Sequence, residues 1–225
     1  MPRHMTSTRP AVLFDVDGTL LDTNYFHSVS WWYALREAGE DIPMARIHPL
    51  IGMGSDQLLT DLLGEEREGL SDLHSKYYKP YKKDLHAFPK AAELLSAVGK
   101  RGVQVVLATS SKEEDLDQLL EALGAEDDVI SEIVHGDMVD SSKPAPDIFA
   151  VALERLDIGP DQTMVVGDTR WDIEAAAKCG LDVVTVLTGG WTRRDLTDAG
   201  AVGVYDDVAE LLAELDESPL ARLLQ

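Results

Sequence analysis

The sequence predicts an α/β fold in which helices cover both faces of a parallel β-sheet and an all-helical cap domain is inserted. Short apolar runs alternate with amphipathic stretches over most of the chain, a pattern typical of parallel strands joined by crossover helices. One early segment shows helical spacing alone, and nine of the fourteen aromatic residues lie between Tyr25 and Phe88. We therefore expect a cap domain at residues 22–87 and a core domain formed by residues 1–21 and 88–225.

Each predicted element rests on a local pattern. Apolar residues at three- and four-residue spacing predict helices, glycines end many of them, and continuous apolar runs predict buried strands. Ser55 is the expected N-cap of one helix, and Pro144 is expected in the first turn of another. The predicted strands are 11–15, 103–108, 129–134, 163–166, 183–187 and 202–205; the predicted helices are 24–38, 55–63, 66–84, 91–98, 113–123, 144–156, one ending at 179, and 208–215.

Side chains suited to phosphate or metal chemistry follow four of these strands. Asp15, Thr109, Lys143 and Asp168 each come after a different strand. Because right-handed crossovers place the carboxyl ends of parallel strands at one edge of the sheet, we expect these residues to meet. Taken singly, each has an ordinary explanation: Asp17-Gly18 is a common turn, Thr109 can be a strand-end hydroxyl, and Lys143 an exposed lysine. Their joint position at successive strand ends favours a shared site.

The acidic residues of this edge predict a magnesium site. Asp15, Asp17, Asp168 and Asp172 would repel one another without a cation among them, and an all-oxygen set of ligands suits Mg²⁺. We expect Asp15, Asp17 and Asp168 to supply the protein ligands, with a backbone carbonyl allowed among them and waters in the remaining positions. Asp172 would hold a metal-bound water or orient Lys143; equally, it would be an acid favoured by a helix N-terminus.

These groups predict phosphoryl transfer through a covalent aspartyl-phosphate. Asp15 is the better nucleophile because it lies at the strand end beside the metal. Asp17 would protonate the leaving alcohol and later activate water, a role that favours a raised pKa. The phosphoryl oxygens would be held by an ammonium group and by hydroxyls. The expected phosphate-binding residues are Thr19, Thr109, Ser110 and Lys143.

Four motifs resemble those of the haloacid dehalogenase superfamily, in the same order. They are DVDGT at 15–19, the strand ending in Thr109, SKPAPDIF at 142–149 and VVGDTRWDIEAAAKCG at 165–180. The resemblance covers essentially the whole chain and implies a Rossmann-like core with a helical cap inserted after the first motif. By that resemblance Asp15 is the nucleophile, Asp17 the acid and base, Thr109 and Lys143 the phosphate binders, and Asp168 a magnesium ligand.

Within the superfamily, the sequence favours a phosphatase. Members that cleave carbon–halogen bonds usually lack the second acid, Asp17, and phosphonate-cleaving members use a lysine in the cap that is absent between Thr23 and Ser75. LIGMGSDQLL at 50–59 resembles the cap of phosphoglycolate phosphatases. Sugar-phosphate mutases of the β-phosphoglucomutase type carry an arginine where this chain has Ser55, but share the histidine at His27. A mutase is therefore the alternative.

A non-catalytic binding or regulatory protein is the further alternative, which the gathered charges of the four motifs disfavour. His27 has two interpretations, a cap-side contact to the substrate or packing in the cap core, and packing is favoured because the residue lies on an aromatic helix face. Trp31 and Trp32 are expected in the same core. Lys76, Lys79, Lys82 and Lys83 are expected to form a solvated helix face rather than an anion-attracting one.

Composition and charge restrict the partners and the compartment. The 225 residues carry a net charge of −21, which opposes binding to nucleic acid and to anionic membranes. The phosphoryl-transfer motifs predict a small phosphorylated metabolite as the partner, for which the site must supply positive charge locally. Cys179 is the single cysteine, which excludes an internal disulfide. No apolar run approaches the length of about 20 residues that spans a bilayer, and residues 1–10 lack the apolar stretch of a secretory signal. We expect a cytoplasmic monomer or homodimer.

Overall fold

The computed structural model describes residues 9–126 and 128–224. Most of residues 1–10, for which the sequence predicted no secretory signal, therefore lies outside the described residues. Within those ranges the sheet has six parallel strands in the order β3-β2-β1-β4-β5-β6. The strands are β1 (Ala11–Phe14), β2 (Gln104–Ala108), β3 (Ile130–Val134), β4 (Thr163–Gly167), β5 (Asp182–Val186) and β6 (Gly203–Tyr205). The predicted parallel α/β sheet is confirmed.

The strand order places β1 at the point where the chain changes direction across the sheet. From β1 the chain builds β2 and β3 on one side and then β4, β5 and β6 on the other. Phe14 pairs with Leu107 of β2 and with Val166 of β4, and the N–H of Asp15 extends the ladder to the carbonyl of Val166 at 2.9 Å. Ligands of open α/β sheets bind at such a switch point, outside the carboxyl ends of the strands.

Helices cover both faces of the sheet because the side chains of β1 alternate. Val12 and Phe14 belong to one buried cluster, with the helices at 91–99, 116–123 and 208–213. Ala11 and Leu13 belong to another, with the helices at 147–156, 170–178 and 193–199. The helices are α1 (Asn24–Glu37), α2 (Met44–Ile47), α3 (Ser55–Leu63), α4 (Leu70–Tyr78), α5 (Ala91–Gly99), α6 (Leu116–Leu123), α7 (Asp147–Leu156), α8 (Arg170–Lys178), α9 (Arg193–Ala199) and α10 (Val208–Ala213).

The segment from α1 to α4 has a buried cluster of its own. The N–H of Asp22 donates to the carbonyl of His86 at 3.1 Å and that of Phe88 to the carbonyl of Leu20 at 2.9 Å, so the two connections to the sheet pair with each other. Trp171 of α8 packs against the cluster from the core side. The buried members are Trp31, Ala34, Leu35, Ile42, Ile47, Leu50, Ile51, Leu58, Leu59, Leu62 and Leu70. The division into two domains at these connections remains a prediction.

Several helix starts differ from the predicted ones, among them α6, where a 3-10 turn at Glu113–Asp115 precedes the α-helix. The N-cap of α3 is Gly54 rather than Ser55, since the Gly54 carbonyl already accepts from the Leu58 N–H at 3.0 Å. Only glycine fits there, because a Cβ at position 54 would lie 2.4 Å from Ser142 Oγ. The third cap helix begins at Leu70, since the preceding Gly69 has a left-handed φ of 82°. Helix α7 begins at Asp147 rather than Pro144, because a residue that precedes proline, here the one at position 145, disfavours the helical region.

Helix α9 was not predicted from the sequence. The Thr192 hydroxyl accepts from the N–H of Asp195, whose carboxylate in turn accepts from the Thr192 N–H, and Gly200 ends the helix with φ 114°. The Thr-x-x-Asp spacing is the local signal for such a start. No helix in the described ranges has the length and apolar content needed to cross a membrane.

Candidate active site

The first motif turns sharply so that its side chains return to the end of β1. Asp15 follows the strand directly, and Gly18 adopts a left-handed φ of 83°. A Cβ on Gly18 would lie 2.3 Å from Asp168 Oδ2, so the turn needs glycine both for its backbone angle and for this close approach. The result is that residues from β1 and β4 share one buried space.

Thr19 and Asn24 hold the two carboxylates of that space. The Thr19 hydroxyl lies 3.1 Å from Asp15 Oδ2 and 2.9 Å from Asp168 Oδ1, and has one proton to donate between them. The Asn24 amide donates to Asp168 Oδ2 at 2.9 Å. Thr19 is fully buried among these groups, so its position supports a role in orienting carboxylates, and its predicted phosphate contact remains a prediction.

Lys143 is buried between two carboxylates. Its Nζ donates to Asp15 Oδ1 at 2.5 Å and to Asp172 Oδ1 at 2.8 Å, and the side chain is 1% exposed. Burial alone would favour the neutral amine, but the charges of Asp15 and Asp172 outweigh it and raise the pKa of Lys143. The lysine is therefore a fixed positive charge beside Asp15, and the interpretation of an exposed lysine is wrong.

Asp172 contacts Lys143 and caps a helix, two of the roles that the sequence left open, while its predicted hold on a metal-bound water remains a prediction. Its Oδ1 accepts from Lys143, while its Oδ2 accepts from the Thr169 N–H at 3.1 Å and from the Thr169 hydroxyl at 2.7 Å. Thr169 and Asp172 thus form the capping box of α8. One carboxylate stabilises the helix N-terminus and orients the buried lysine.

Asp15, Asp168 and Asp172 form a group that fits a divalent cation. One carboxylate oxygen from each lies within 4.8 Å of the others, and all three residues are buried. Burial, together with the charges of neighbouring acids, raises the pKa of Asp15 to about 7 despite Lys143, and raises that of Asp168 well above its usual range. One ammonium does not balance three carboxylates, so the all-oxygen set favours an additional hard cation.

Asp17 stands apart from this group. Its Oδ1 accepts from Thr23 Oγ1 at 2.7 Å and lies 3.2 Å from His27 Nε2, and its Oδ2 accepts from Ser111 Oγ at 3.3 Å. Burial raises the pKa of Asp17, but the charge and hydrogen bond of His27, with the two hydroxyls, lower it to about 2. The expectation of a raised pKa is wrong. The Asp17 carboxylate also lies outside the group formed by Asp15, Asp168 and Asp172, so its predicted role as a metal ligand remains a prediction.

Thr109 and Ser110 lie where β2 ends. Thr109 is buried, and its hydroxyl accepts from the Ser111 N–H at 3.1 Å. Ser110 lines the cleft above the carboxylates, with Ser111 and Lys112. The sheet edge thus presents a loop of hydroxyls to the cleft, while the assignment of Thr109 and Ser110 to phosphate binding remains a prediction.

His27 lies between the cap and the active-site acid. Its ring stacks on Tyr78 with a centroid distance of 4.2 Å and on His74 at 5.3 Å, which agrees with the packing interpretation. Its Nε2 also approaches Asp17, and its Nδ1 lies 3.2 Å from His74 Nε2. Packing and contact with the active site are therefore combined in one residue.

The cleft between the cap and the sheet edge has a volume of about 160 Å³. Asp15 and Asp17 line its floor, and α1 and α4 supply the cap-side wall through His27, His74 and Tyr78. His74, Tyr78, Thr23, Asn24 and Ser111 were not among the predicted site residues. Thr23 and Asn24 follow the first motif closely, so the sequence could have indicated them as site residues. For His74 and Tyr78 the only sequence signal is their four-residue spacing, which puts them on one face of a helix.

The fold and this site define a hydrolase with a Rossmann-like core, and comparison with known proteins identifies the family. A sequence model described as "Haloacid dehalogenase-like hydrolase" matches residues 12–186, so the chain belongs to the haloacid dehalogenase-like hydrolases. This confirms the resemblance found in the four motifs.

Individual relatives match along most of their length. A phosphoglycolate phosphatase of Rhodospirillum rubrum is 30% identical over 89% of this chain and 88% of its own. A "Phosphorylated carbohydrates phosphatase" of Thermotoga maritima is 27% identical over 91% of this chain and 99% of its own. Among solved structures, a hydrolase from Pseudomonas syringae superposes with a TM-score of 0.86 at 34% identity and covers 93% of this chain and 99% of its own.

Proposed function

We propose that the protein is a magnesium-dependent phosphatase that hydrolyses a small phosphomonoester through a phosphorylated Asp15. The observation that carries this proposal is the position of Asp15 at the end of β1, 2.5 Å from the ammonium of Lys143, while the second acid, Asp17, is held separately on the floor of the cleft. A nucleophile and an acid–base group need such a division of roles. Relatives named as phosphatases support the same reaction class.

Asp15 and Asp168 would hold the magnesium ion, which supplies positive charge against the repulsion between a carboxylate and a phosphate. Lys143 adds a second positive charge beside Asp15. A carboxylate oxygen of Asp15 then attacks phosphorus, the bond to the alcohol oxygen breaks, and that oxygen needs a proton. Thr19 and Asn24 restrict the movement of the carboxylates during this exchange.

Asp17 moves the protons of both half-reactions. Its lowered pKa means that it is ionised before substrate binds. A phosphomonoester has a second pKa near about 6, so a monoanionic substrate brings the proton that Asp17 passes to the leaving oxygen. In the second half-reaction Asp17 accepts a proton from water, which attacks the phosphorus of the acyl phosphate and restores the Asp15 carboxylate.

The test is phosphate release from a panel of small phosphomonoesters that includes 2-phosphoglycolate and hexose phosphates, with and without Mg²⁺. We expect magnesium-dependent release that Asp15→Asn lacks. Release that persists in Asp15→Asn, or that is the same after chelation of divalent cations, would contradict the proposal.

A sugar-phosphate mutase is the second candidate, and the contact between His27 and Asp17 is the observation that favours it. A histidine at this place is shared with mutases by resemblance, whereas the arginine that they carry is absent at Ser55. A mutase would transfer the phosphoryl group to a second hydroxyl of the sugar. Phosphorus NMR of the products separates the two: inorganic phosphate indicates the phosphatase, and a regioisomeric sugar phosphate indicates the mutase.

A further inference from the structure

Residues 49–56 form a cap strap that is hydrogen-bonded at both ends to segments that follow strands of the sheet. At the first end, the indole N–H of Trp171 in α8 donates to the Pro49 carbonyl at 2.9 Å. At the other end, the Gly54 N–H donates at 3.0 Å to Ser142 Oγ, in the loop after β3. Residues between these ends line the cleft. The cap strap is therefore a wall of the cleft that is fixed at two points outside the cap.

Asp56 completes the second attachment. Its Oδ1 accepts from the Ser142 hydroxyl, and its Oδ2 accepts from the Ser142 N–H at 3.3 Å. The hydroxyl thus accepts from Gly54 and donates to Asp56, so both of its partners belong to the cap strap. Burial raises the pKa of Asp56, but hydrogen bonds from Ser142 and Gln57 outweigh it and lower the pKa. Asp56 is ionised at neutral pH, and hydrogen bonds to a charged acceptor are stronger than neutral ones.

Each attachment adjoins one partner of the buried ion pair. Ser142 directly precedes Lys143 in the chain, and Trp171 directly precedes Asp172. Lys143 Nζ and Asp172 Oδ1 lie 2.8 Å apart, although 29 residues separate them in sequence. A residue held by hydrogen bonds has restricted backbone dihedral angles, and these angles direct the next side chain. The cap strap therefore restrains both the lysine and the carboxylate that orients it.

The middle of the cap strap lies directly on the start of α8. Gly52 has a left-handed φ of 102°, and a Cβ at this position would lie 2.8 Å from Thr169 Cγ2 and 3.3 Å from Trp171 Cδ1. Thr169 forms the capping box with Asp172, whose other oxygen accepts from Lys143. This close approach is a third contact between the cap strap and the residues that hold the lysine.

We propose that Asp56 and Trp171 are positioning residues that make the placement of Lys143 depend on the seating of the cap strap. The proposal rests on the phosphatase function and adds a condition to its chemical step. With the strap seated, Ser142 and α8 are held, and the ammonium stays beside Asp15. When the strap lifts, Ser142 loses its side-chain partners and the ammonium is less restrained. Small displacements of a catalytic charge have large effects on rate, so full activity requires a seated strap.

The first test measures kcat and KM of Asp56→Ala with an ester that the native protein hydrolyses. We expect kcat at saturation to fall by about tenfold or more, because a charge-assisted hydrogen bond that restrains the lysine is lost. Asp61→Ala, at an exposed position of the same helix, is the matched control and should retain the native kcat. Asp56→Asn keeps one acceptor oxygen and should lose less; it replaces Asp56→Ala in this comparison if the alanine variant does not fold. A native kcat in the variant compared would overturn the proposal.

A double-mutant cycle tests whether Asp56 acts through Ser142. Ser142→Ala removes the hydroxyl that binds both Gly54 and Asp56, so it weakens the same attachment from the other side. The loss of kcat in Asp56→Ala/Ser142→Ala should be clearly smaller than the product of the two single losses. Losses that multiply would reject the path through Ser142. A merely structural role would lower the melting temperature of the single variants and leave kcat unchanged well below that temperature, which would also reject the proposal.

The first attachment is tested with Trp171→Phe, which keeps an aromatic ring and removes the N–H that binds Pro49. We expect kcat to fall by about fivefold, the value of one hydrogen bond. Trp32→Phe is the matched control, since Trp32 lies on the cap beside Tyr33 and Arg36, and it should retain the native kcat. A native kcat in Trp171→Phe would remove Trp171 from the proposal.

Hydrogen exchange measures the seating of the cap strap without any substrate. Peptides that cover residues 49–56 should exchange faster in Asp56→Ala and in Trp171→Phe than in the native protein, because hydrogen bonds that hold the strap are missing. Asp61→Ala and Trp32→Phe should exchange at the native rate. Native exchange in either test variant would reject the role assigned to that residue.

Failure of this proposal is distinguishable from failure of the phosphatase function. If the native protein hydrolyses an ester, Asp15→Asn does not, and Asp56→Ala matches the native protein, the phosphatase stands and the positioning role is rejected. If no ester is hydrolysed in an Asp15-dependent way, the phosphatase function is rejected and the positioning role with it.

Discussion

The protonation of Asp15 depends on its surroundings rather than on its chemical type. The ordinary carboxylate is ionised at neutral pH, but burial at the end of β1 with other acids raises the pKa of Asp15 to about 7. Lys143 and Thr19 compensate part of this cost by hydrogen bonds to opposite oxygens. Burying the Asp15 carboxylate without these partners would destabilise the folded protein, and the hydrogen bonds of its cluster reduce that cost. Such a costly buried group is typical of residues that take part in chemistry.

Asp15→Asn should abolish turnover and leave the fold intact. The amide cannot form the acyl phosphate, so we expect kcat to fall by about 10³-fold or more. The melting temperature should be unchanged or higher, because the amide oxygen can still accept from Lys143 and one of the repelling charges is gone. Steady-state phosphate release and thermal unfolding measure both effects. Asp61→Asn, an exposed acid of α3, is the control that should retain full activity.

Asp168→Ala should weaken magnesium binding. A ligand present at about 100 times its dissociation constant stabilises a protein by about 2.7 kcal/mol, so Mg²⁺ should raise the melting temperature of the native protein. The shift should be lost, or require far more Mg²⁺, in Asp168→Ala. Asp161→Ala, an exposed acid at the other end of the same strand, should keep it. Differential scanning fluorimetry measures these changes in melting temperature. If Mg²⁺ raised the melting temperature of Asp168→Ala as much as that of the native protein, the metal ligand would lie elsewhere.

At the scale of elements, two helices begin with the same capping box and serve different purposes. Thr169 caps α8 through Asp172, and Thr192 caps α9 through Asp195. Only the first box adjoins the site, because Asp172 also accepts from Lys143 at 2.8 Å. Because Asp172 both caps α8 and accepts from Lys143, the N-terminus of α8 fixes the position of the buried lysine.

Replacing each capping threonine by alanine should separate stability from activity. We expect Thr169→Ala and Thr192→Ala each to lower the free energy of unfolding by about 1 kcal/mol, since each removes one cap. Thr169→Ala should also lower kcat by about tenfold, because Asp172 loses a 2.7 Å hydrogen bond that holds it toward Lys143. Chemical denaturation and kinetics on both variants check this. Equal kcat values would mean that Lys143 does not depend on the cap of α8.

The cap helices act together as one wall of the cleft. Helices α1 and α4 carry His27, His74 and Tyr78 on facing surfaces, and a separate apolar cluster holds these helices in place. The cap also touches the loop that carries Lys143, since the Gly54 N–H donates to Ser142 Oγ at 3.0 Å. The helical segment that forms this wall is thus in direct contact with the loop that carries Lys143.

At the scale of the whole molecule, the charge of −21 opposes the binding of a phosphate ester. The carboxylates of the site add to this field locally, and positive groups are few along the cleft. Association of like charges is slowed by long-range repulsion, which salt screens over a Debye length of about 10 Å at 0.1 M. A phosphate ester would therefore bind at this site only if a cation offset the carboxylates that Lys143 alone does not balance.

Added salt should therefore increase kcat/KM. Between about 20 and 300 mM NaCl at constant Mg²⁺, we expect kcat/KM for a phosphomonoester to rise about twofold or more through a lower KM. The value of kcat at saturation should change little, because the buried groups are screened much less than exposed ones. Steady-state kinetics across the salt series is the measurement. A fall in kcat/KM with salt would show that attraction to cap lysines outweighs the net charge.

The sequence alone determined the sheet and the convergence of its strand-end residues. Continuous apolar runs require burial on both faces, which indicates parallel strands, and parallel strands bring their carboxyl ends to one edge. Asp15, Lys143 and Asp168 are close in space for that reason, although they lie far apart in the chain. These inferences need only the spacing of apolar residues and the topology rules for parallel sheets, and the spacing can be read directly from the sequence.

Tertiary structure alone decided which groups the side chains face. Asp17 has a lowered pKa because α1 brings His27 to it, and Tyr78 lies at the cleft because α4 packs against α1. Residue choice at a helix start also depended on neighbours, since a Cβ at Gly54, the N-cap of α3, would collide with Ser142 of a distant loop. Local patterns specify which face of an element is buried. The packing of the elements decides which side chains come into contact. It therefore also decides the charge state of Asp17 and leaves the Tyr78 hydroxyl without a hydrogen-bond partner among the described residues.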